Sequence, residues 1–363
     1  MTKARDIADN AGKGGGASNV IINGAMKISQ RATSAASITT SGYKTVDRWN
    51  TKIGGAGTWT QTQNAVTDLA GFRHSLKMAC TTANSSLAAS NSLNVETRLE
   101  GFDIQQFQKG TASAKKWALS FYVKASKTGT YITELFDNNN NRHVNKSYTV
   151  DAANTWEHKK IIFDGDTSSP FANTNGNCLI VLWYLAAGTN YTTGTLQESW
   201  GAQTNVNRCV GQVNLADSTS NTWEITGVQL EVGDKCSDFQ HEESSVTAQK
   251  CYRYYFQSPS YSAGNSGTSA DVILYHGSLL KSVNTWHWLP QEFPVVMRAA
   301  PTVTCSDGTT DGKIGHWTST GGGSTVGHSP WQTLSKPNHI RVNEYVTGGI
   351  YGFYYNYKAD AEL

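Results

Sequence analysis

Charge is the first thing this sequence has little of. Only 16% of its 363 residues are Asp, Glu, Lys or Arg, against about 25% in an ordinary soluble domain. The two signs nearly cancel, at a formal +2. That balance excludes tracking a nucleic-acid backbone through net charge, so no nucleic-acid partner is expected. Long A/E/K/L/R heptads are missing, which excludes a coiled coil. The longest apolar run, residues 178–187, is far short of the roughly 20 residues of a spanning helix, so no membrane insertion is expected. The first ten residues, MTKARDIADN, lack the apolar core of an export signal and place the protein in a cytoplasm. The six cysteines, Cys80, Cys178, Cys209, Cys236, Cys251 and Cys305, form no CxxC pair and no Cys/His ligand spacing. No metal site or cofactor is expected from them, and free, mostly buried thiols follow from the missing export signal.

Polarity comes instead from Ser, Thr, Asn, Gln and 34 Gly, alongside 11 Trp and 16 Tyr. Aromatics at 10% exclude disorder over the whole chain. The length allows two medium domains, each with its own core. Residues 116–126 (KWALSFYVKAS) alternate, with Trp117, Leu119, Phe121 and Val123 on one face, the period of a half-buried strand. Residues 130–136 repeat the pattern before a turn-forming run at 137–141, and residues 156–163 lead into Asp164-Gly165. Residues 178–185 (CLIVLWYL) are apolar on both faces and predict a central strand covered on both sides. Residues 223–232 alternate until the phase slips at Gly227, which predicts a β-bulge there. One short helix is expected at 245–252. Further strands are expected at 271–276, 283–289, 300–305, 339–345 and 349–357. Turns every 8–14 residues or so favour a sandwich over a βαβ fold.

The fold class expected is therefore all-β. An extended leader spans residues 1–18, a large jelly-roll β-sandwich 19–253, and a smaller β-sandwich 254–363. The leader joins a short amphipathic stretch to Gly12-Lys13-Gly14-Gly15-Gly16. A segment of this kind takes one structure only against a partner. It is expected to anchor the chain on another protein, with Lys3, Arg5, Ile7 and Lys13 as contact residues.

Catalytic signatures are missing. There is no GxSxG elbow, GxxxxGK[ST] loop or HExxH helix. His241-Glu242-Glu243 lacks a zincin's second His. Asp137, Asn139 and Asn141 open like a calcium loop, but Arg142 replaces the sixth-position Gly and Tyr148 the closing Glu. Asp307 and Asp311-Gly312 fail at Thr318. Glu96 with Glu100, or Asp164 with Asp166, are candidate carboxylate pairs for glycoside hydrolysis, but turn or surface roles are the default, and no enzyme is expected. Sugars bind by stacking on aromatic faces beside hydrogen-bonding neighbours. The candidates for this are Trp317 and Trp331, read as loop residues between 316 and 334, then Trp286, Trp288, His316 and Tyr345. Trp286 and Trp288 share one strand face and serve equally as a core stripe. Tyr351, Phe353, Tyr355 and Tyr357 form a second stripe that fits an inter-subunit surface.

Six segments together resemble a family of bacteriophage tail-fibre and minor virion structural proteins. They are residues 19–31 (NVIINGAMKISQR), 42–49 (GYKTVDRW), 226–232 (TGVQLEV), Phe239-Gln240-His241, 251–256 (CYRYYF) and 293–304 (FPVVMRAAPTVT). The resemblance implies a carbohydrate-binding-module-like jelly roll, a place in the virion, a homotrimer, and no catalytic residue. Asn23-Gly24 would turn the chain after a strand at 20–22. Asp47 and Arg48 would form a charge pair beside Trp49, and these residues are expected to lock the fold rather than touch ligand. The function expected is a tail fibre, held by its leader to other virion proteins and touching host-surface glycan with its distal β domain. A capsid decoration protein is the alternative, and a tail-associated glycan depolymerase is less favoured.

Overall fold

The computed structural model describes residues 19–258, 274–275, 285–306, 311, 314–318, 323–328, 332–346 and 350–363. The leader and its candidates Lys3, Arg5, Ile7 and Lys13 lie outside the described residues, as does Trp331. The chain divides into two compact units, Met1–Ser244 and Ser245–Leu363. The expected helix, observed at Ser244–Tyr252, falls almost wholly in the second unit, because Tyr252 packs edge-on against Phe256 at 5.2 Å.

The described residues of the first unit form thirteen strands. They are β1 (Ser34–Ile38), β2 (Gly42–Tyr43), β3 (Trp49–Gly54), β4 (Thr58–Ala65), β5 (His74–Thr82), β6 (Ser92–Glu100), β7 (Trp117–Ala125), β8 (Gly129–Asp137), β9 (Arg142–Val150), β10 (Glu157–Phe163), β11 (Asn177–Ala187), β12 (Gly201–Ala202) and β13 (Thr222–Val232). They form a six-stranded sheet, β1-β4-β5-β13-β7-β10, and a seven-stranded sheet, β12-β9-β8-β11-β6-β3-β2, both antiparallel. One core joins them. Phe121 of β7 meets Trp183 of β11 edge-on at 5.6 Å and Tyr148 of β9 at 5.1 Å. Trp49, Trp59, Trp117, Trp183 and Trp223 are each fully buried. Together they contribute on the order of 20–30 kcal/mol of gross burial, against about 0–1 kcal/mol for an exposed ion pair. The core, not charge, holds the sandwich.

The two-faced strand is as expected. Leu179, Val181, Trp183 and Leu185 of β11 enter the main core, while Ile180, Leu182 and Tyr184 form a second cluster with Cys209 on the sheet's other face. That cluster is closed by the excursion between β11 and β13. The bulge is also where the phase slip placed it. The β13–β7 register shifts between Thr226 and Gln229, and Gly227 has φ +60°. A Cβ there would stand 2.7 Å from the Phe72 ring, so glycine is needed for both space and backbone.

The segments that carried the family resemblance form a clasp. Asn23 donates its side-chain amide to the carbonyls of Ile28 and Asp47 and accepts the Ile28 amide. Asp47 accepts the Gln30 amide at 3.0 Å and lies 3.9 Å from Arg31. Arg48 donates to the Arg98 carbonyl, and Trp49 Nε1 to the Asn23 carbonyl. A Cβ on Gly24 would lie 2.1 Å from the Val228 carbonyl oxygen, and the Val20 amide bonds Leu230. The first described residues are thus fastened to β13. The strand expected at 20–22 does not form: one backbone bond to Leu230 holds an irregular segment ahead of the turn at 22–25.

The second unit holds a three-stranded sheet from β14 (Tyr255–Gln257), β17 (Thr302–Ser306) and β23 (Asn356–Asp360). A four-stranded sheet uses β15 (Leu274–Tyr275), β18 (Ile314–Thr318), β19 (Gly323–His328) and β22 (Ile350–Tyr354). Another three-stranded sheet uses β16 (Thr285–Glu292), β20 (Gln332–Lys336) and β21 (His339–Val346). The strand expected at 349–357 is two strands, broken at Tyr355. Tyr355 and Tyr357 are 2% and 1% exposed within this unit's core, which removes them from an inter-subunit stripe.

Candidate functional site

The site begins with a buried lysine. A 3-10 helix, Gly101–Phe107, leaves β6 and ends in Gln108 at φ 51°. Gly110 follows at φ 81°, where a Cβ would stand 2.3 Å from the backbone nitrogen of Pro170. This tight turn carries Lys109 inward, its side chain wholly buried. Its Nζ lies 2.6 Å from Asp137 Oδ2 and 3.1 Å from Asp166 Oδ2. It donates to the carbonyls of Ser169 and Ser168 at 2.6 and 3.1 Å. The rings of Phe171 and Trp200 stand 5.1 and 5.5 Å away. Arg142 adds a two-point contact to Asp166, Nε at 2.8 Å and Nη2 at 3.1 Å. Burial alone would raise the Asp166 pKa, but Arg142, the Ser168 amide and Lys109 together hold it below the usual carboxylate range. Buried charges persist only when paired this fully. Asp137, which opened the calcium-like pattern, has a Lys ammonium where that pattern would place a metal, and it accepts the Asn139 and Asn140 amides.

Beside this knot opens a pocket of about 250 Å³, walled by Trp200 and lined by Arg142, Asp164, Thr167, Ser168 and Glu198 among others. Trp200 is half-buried. Its Nε1 donates to the Asp164 carbonyl at 2.9 Å and its ring rests on Trp117 at 5.5 Å, so the indole is held in one pose. Asp164 and Glu198 are exposed and meet Lys116 and Lys146 at 3.1 and 3.7 Å. An aromatic wall with fixed donors and acceptors around it matches what a sugar ring needs. Trp200 was not among the sequence candidates. Its signal was available, since it lies in a Gln/Glu/Ser/Gly-rich stretch with no strand period, the same criterion that pointed to Trp317.

Asp164 and Asp166 do reach one pocket, but Asp166, held ionised by two cations, has no proton to donate near neutral pH. Glu96 and Glu100 lie four residues apart on β6, ~13 Å along a strand, wider than the roughly 5–10 Å of glycosidases. Burial raises the Glu96 pKa against the pull of Arg98, whose Nε and Nη2 grip it at 2.9 and 2.7 Å. A third pair escaped sequence reasoning. Register sets Glu96 opposite Leu182 and Leu182 opposite Glu134. Glu134 is fully buried, clasped by Arg208 Nη2 at 2.6 Å and by the Tyr184 hydroxyl at 3.2 Å. Neither carboxylate stands open to a substrate. Among the described residues, no group of three or more His, Cys, Asp or Glu is arranged to hold a metal, and no helix is long and apolar enough to cross a membrane.

The second-unit candidates are partly brought together. Trp286 and Trp288 occupy alternate positions of β16, opposite Tyr345 and Asn343 of β21. His316 and Trp317 are in β18, not in a loop, and Trp317 pairs with Gly323 and Gly352. The Gly/Ser/Thr-rich composition was misleading because its glycines are the pairing partners.

No family model matches the chain, and no curated protein matches it. Solved structures do. The enzymatically active domain of bacteriophage CBA120 tailspike protein 4 is 11% identical, with a TM-score of 0.30, over 59% of this chain and 21% of that one. The chain therefore spans about a fifth of that tailspike structure. A family 61 carbohydrate-binding module in complex with β-1,4-galactotriose is 11% identical, TM-score 0.28, over 59% of this chain and 99% of that one. The family 11 module of a cellulosomal cellulase of Clostridium thermocellum is 12% identical, TM-score 0.28, over 58% and 99%.

Proposed function

We propose that this chain is a non-catalytic, glycan-binding structural part of a bacteriophage particle, a tail fibre that works as a homotrimer. The observation that carries the glycan reading is the pocket walled by Trp200 and lined by Arg142, Asp164, Glu198, Thr167 and Ser168. The virion reading is supported by the order of the six resembling segments, several of which meet in the clasp on β13. The leader docks on a neighbouring virion protein, and the β domains face outward. In this reading no bond is broken, and the Arg142 and Lys109 contacts to Asp166 serve to shape the pocket. Binding to a printed array of bacterial surface oligosaccharides tests this. Trp200→Ala removes the wall that packs on Trp117, so it should lower the melting temperature. It should lower affinity at least tenfold when binding is measured well below that temperature, where both proteins are folded. Equal binding by the two proteins would remove this pocket from the reading. Imaging a particle that carries the protein distinguishes the tail from the capsid lattice.

A further inference from the structure

The turn that buries Lys109 also walls a second pocket, of about 450 Å³, with no part in the reading above. Gln105, Gln108, Thr111 and Ser113 line one side, and Ile104, Pro170 and Phe171 supply an apolar wall. The one ionisable residue in its lining is Lys109, whose ammonium is fully engaged by Asp137 and Asp166. The pocket therefore offers carboxamides and hydroxyls but no uncommitted charge. Gln105 Nε2 donates to the Gly101 and Ala172 carbonyls at 2.8 and 3.4 Å, and Thr111 Oγ1 to the Gln108 carbonyl at 2.8 Å. These bonds spend the Gln105 and Thr111 donors within the protein and hold the Gln105 and Thr111 side-chain oxygens in place as acceptors before any ligand arrives, which lowers the ordering cost of binding.

The backbone is unusual on both sides. Gln108, at φ 51°, lines the pocket and is followed by Gly110 at 81°, and Ser169 at 58° precedes the lining residue Pro170. Non-glycine residues rarely adopt positive φ, and such conformations gather at ligand clamps. The same loop serves both pockets, with Asp166, Thr167 and Ser168 lining the Trp200 pocket and Pro170 and Phe171 this one.

We propose that this pocket is a second subsite for an uncharged pyranose, adjoining the Trp200 pocket through the loop at 166–171. The inference rests on the glycan reading and assigns it a chemical class, since neutral amides and hydroxyls beside an apolar wall select sugars without a carboxylate.

The test compares neutral oligosaccharides with uronic-acid-bearing ones on the same array, using the full chain. Ser113 and Gln105 are exposed, so Ser113→Trp fills the pocket and Gln105→Ala removes an amide without opening the core. Neutral trisaccharides and longer should bind the wild type best, and each variant should weaken them at least fivefold with an unchanged melting temperature. If the wild type binds and Trp200→Ala weakens it while both pocket variants bind normally, the second subsite is wrong and the glycan reading stands. If only uronic-acid-bearing chains bind, the assignment to an uncharged sugar is wrong. If no glycan of either class binds the wild type, the underlying reading fails and this inference falls with it.

Discussion

Lys109→Met removes one ammonium from the knot and keeps most of the side-chain volume. Lys109 and Asp137 are wholly buried and Asp166 is 4% exposed, so breaking these pairs leaves carboxylates without solvent to replace the lost partner. Breaking a buried pair from one side costs about 3–5 kcal/mol. Asp166 keeps Arg142, and Asp137 keeps the amides of Asn139 and Asn140, so the low end applies. A loss of about 3 kcal/mol lowers the melting temperature by about 6–12 °C in a unit of this size. The pH dependence has a definite sign. Asp166 has a folded pKa below its unfolded value, so its stabilisation is present above that unfolded value. It is lost as pH falls through the folded one. Removing Lys109 shrinks the difference, so the gap between wild type and variant is full at neutral pH and narrows below about pH 4. Urea unfolding followed by tryptophan fluorescence reads it, since Trp117 and Trp200 adjoin the knot. Adding Asp137→Asn to the variant should recover part of the loss. A variant within about 1 kcal/mol of wild type at neutral pH, a typical exposed ion pair, would refute the reasoning.

Arg208→Met uncovers the buried Glu134 carboxylate and should cost about 3–5 kcal/mol in the same unfolding assay; adding Glu134→Gln should recover much of it. Gly227→Ala forces a Cβ to 2.7 Å from Phe72 at φ +60°, with an expected loss of about 1–3 kcal/mol; normal stability would show that the bulge adapts. Cys80, Cys178, Cys209, Cys251 and Cys305 are buried, and burial pushes the Cys209 thiol well up. These thiols should resist a disulfide reagent in the native protein and react once it is unfolded in urea; rapid native reaction of more than Cys236 would contradict the packing.

The strands of the sandwich were legible because their signals are local. Alternation on β7 named its buried face residue by residue, and the two-sided β11 announced itself as an apolar run too short for a membrane. The phase slip at Gly227 needed only counting by two. The clasp was half legible. Its segments stood out in order, but that Asn23, Asp47 and Trp49 bond to one another across more than twenty residues was not visible. Trp317 shows where composition fails, since a Gly/Ser/Thr-rich stretch can be paired strands when glycines lie opposite.

The sequence by itself determined an all-β chain, because strand period, turn residues and bulges depend on neighbours within a few positions. Only the tertiary structure decided where chemistry sits. Lys109, Asp137, Arg142, Asp166 and Trp200 come from separate loops and strand ends, and nothing in the spacing of 109 and 200 says that an ammonium will lie 5.5 Å from an indole. A buried charge must find its counter-charges wherever the fold brings them, and that requirement, invisible along the chain, shaped both pockets.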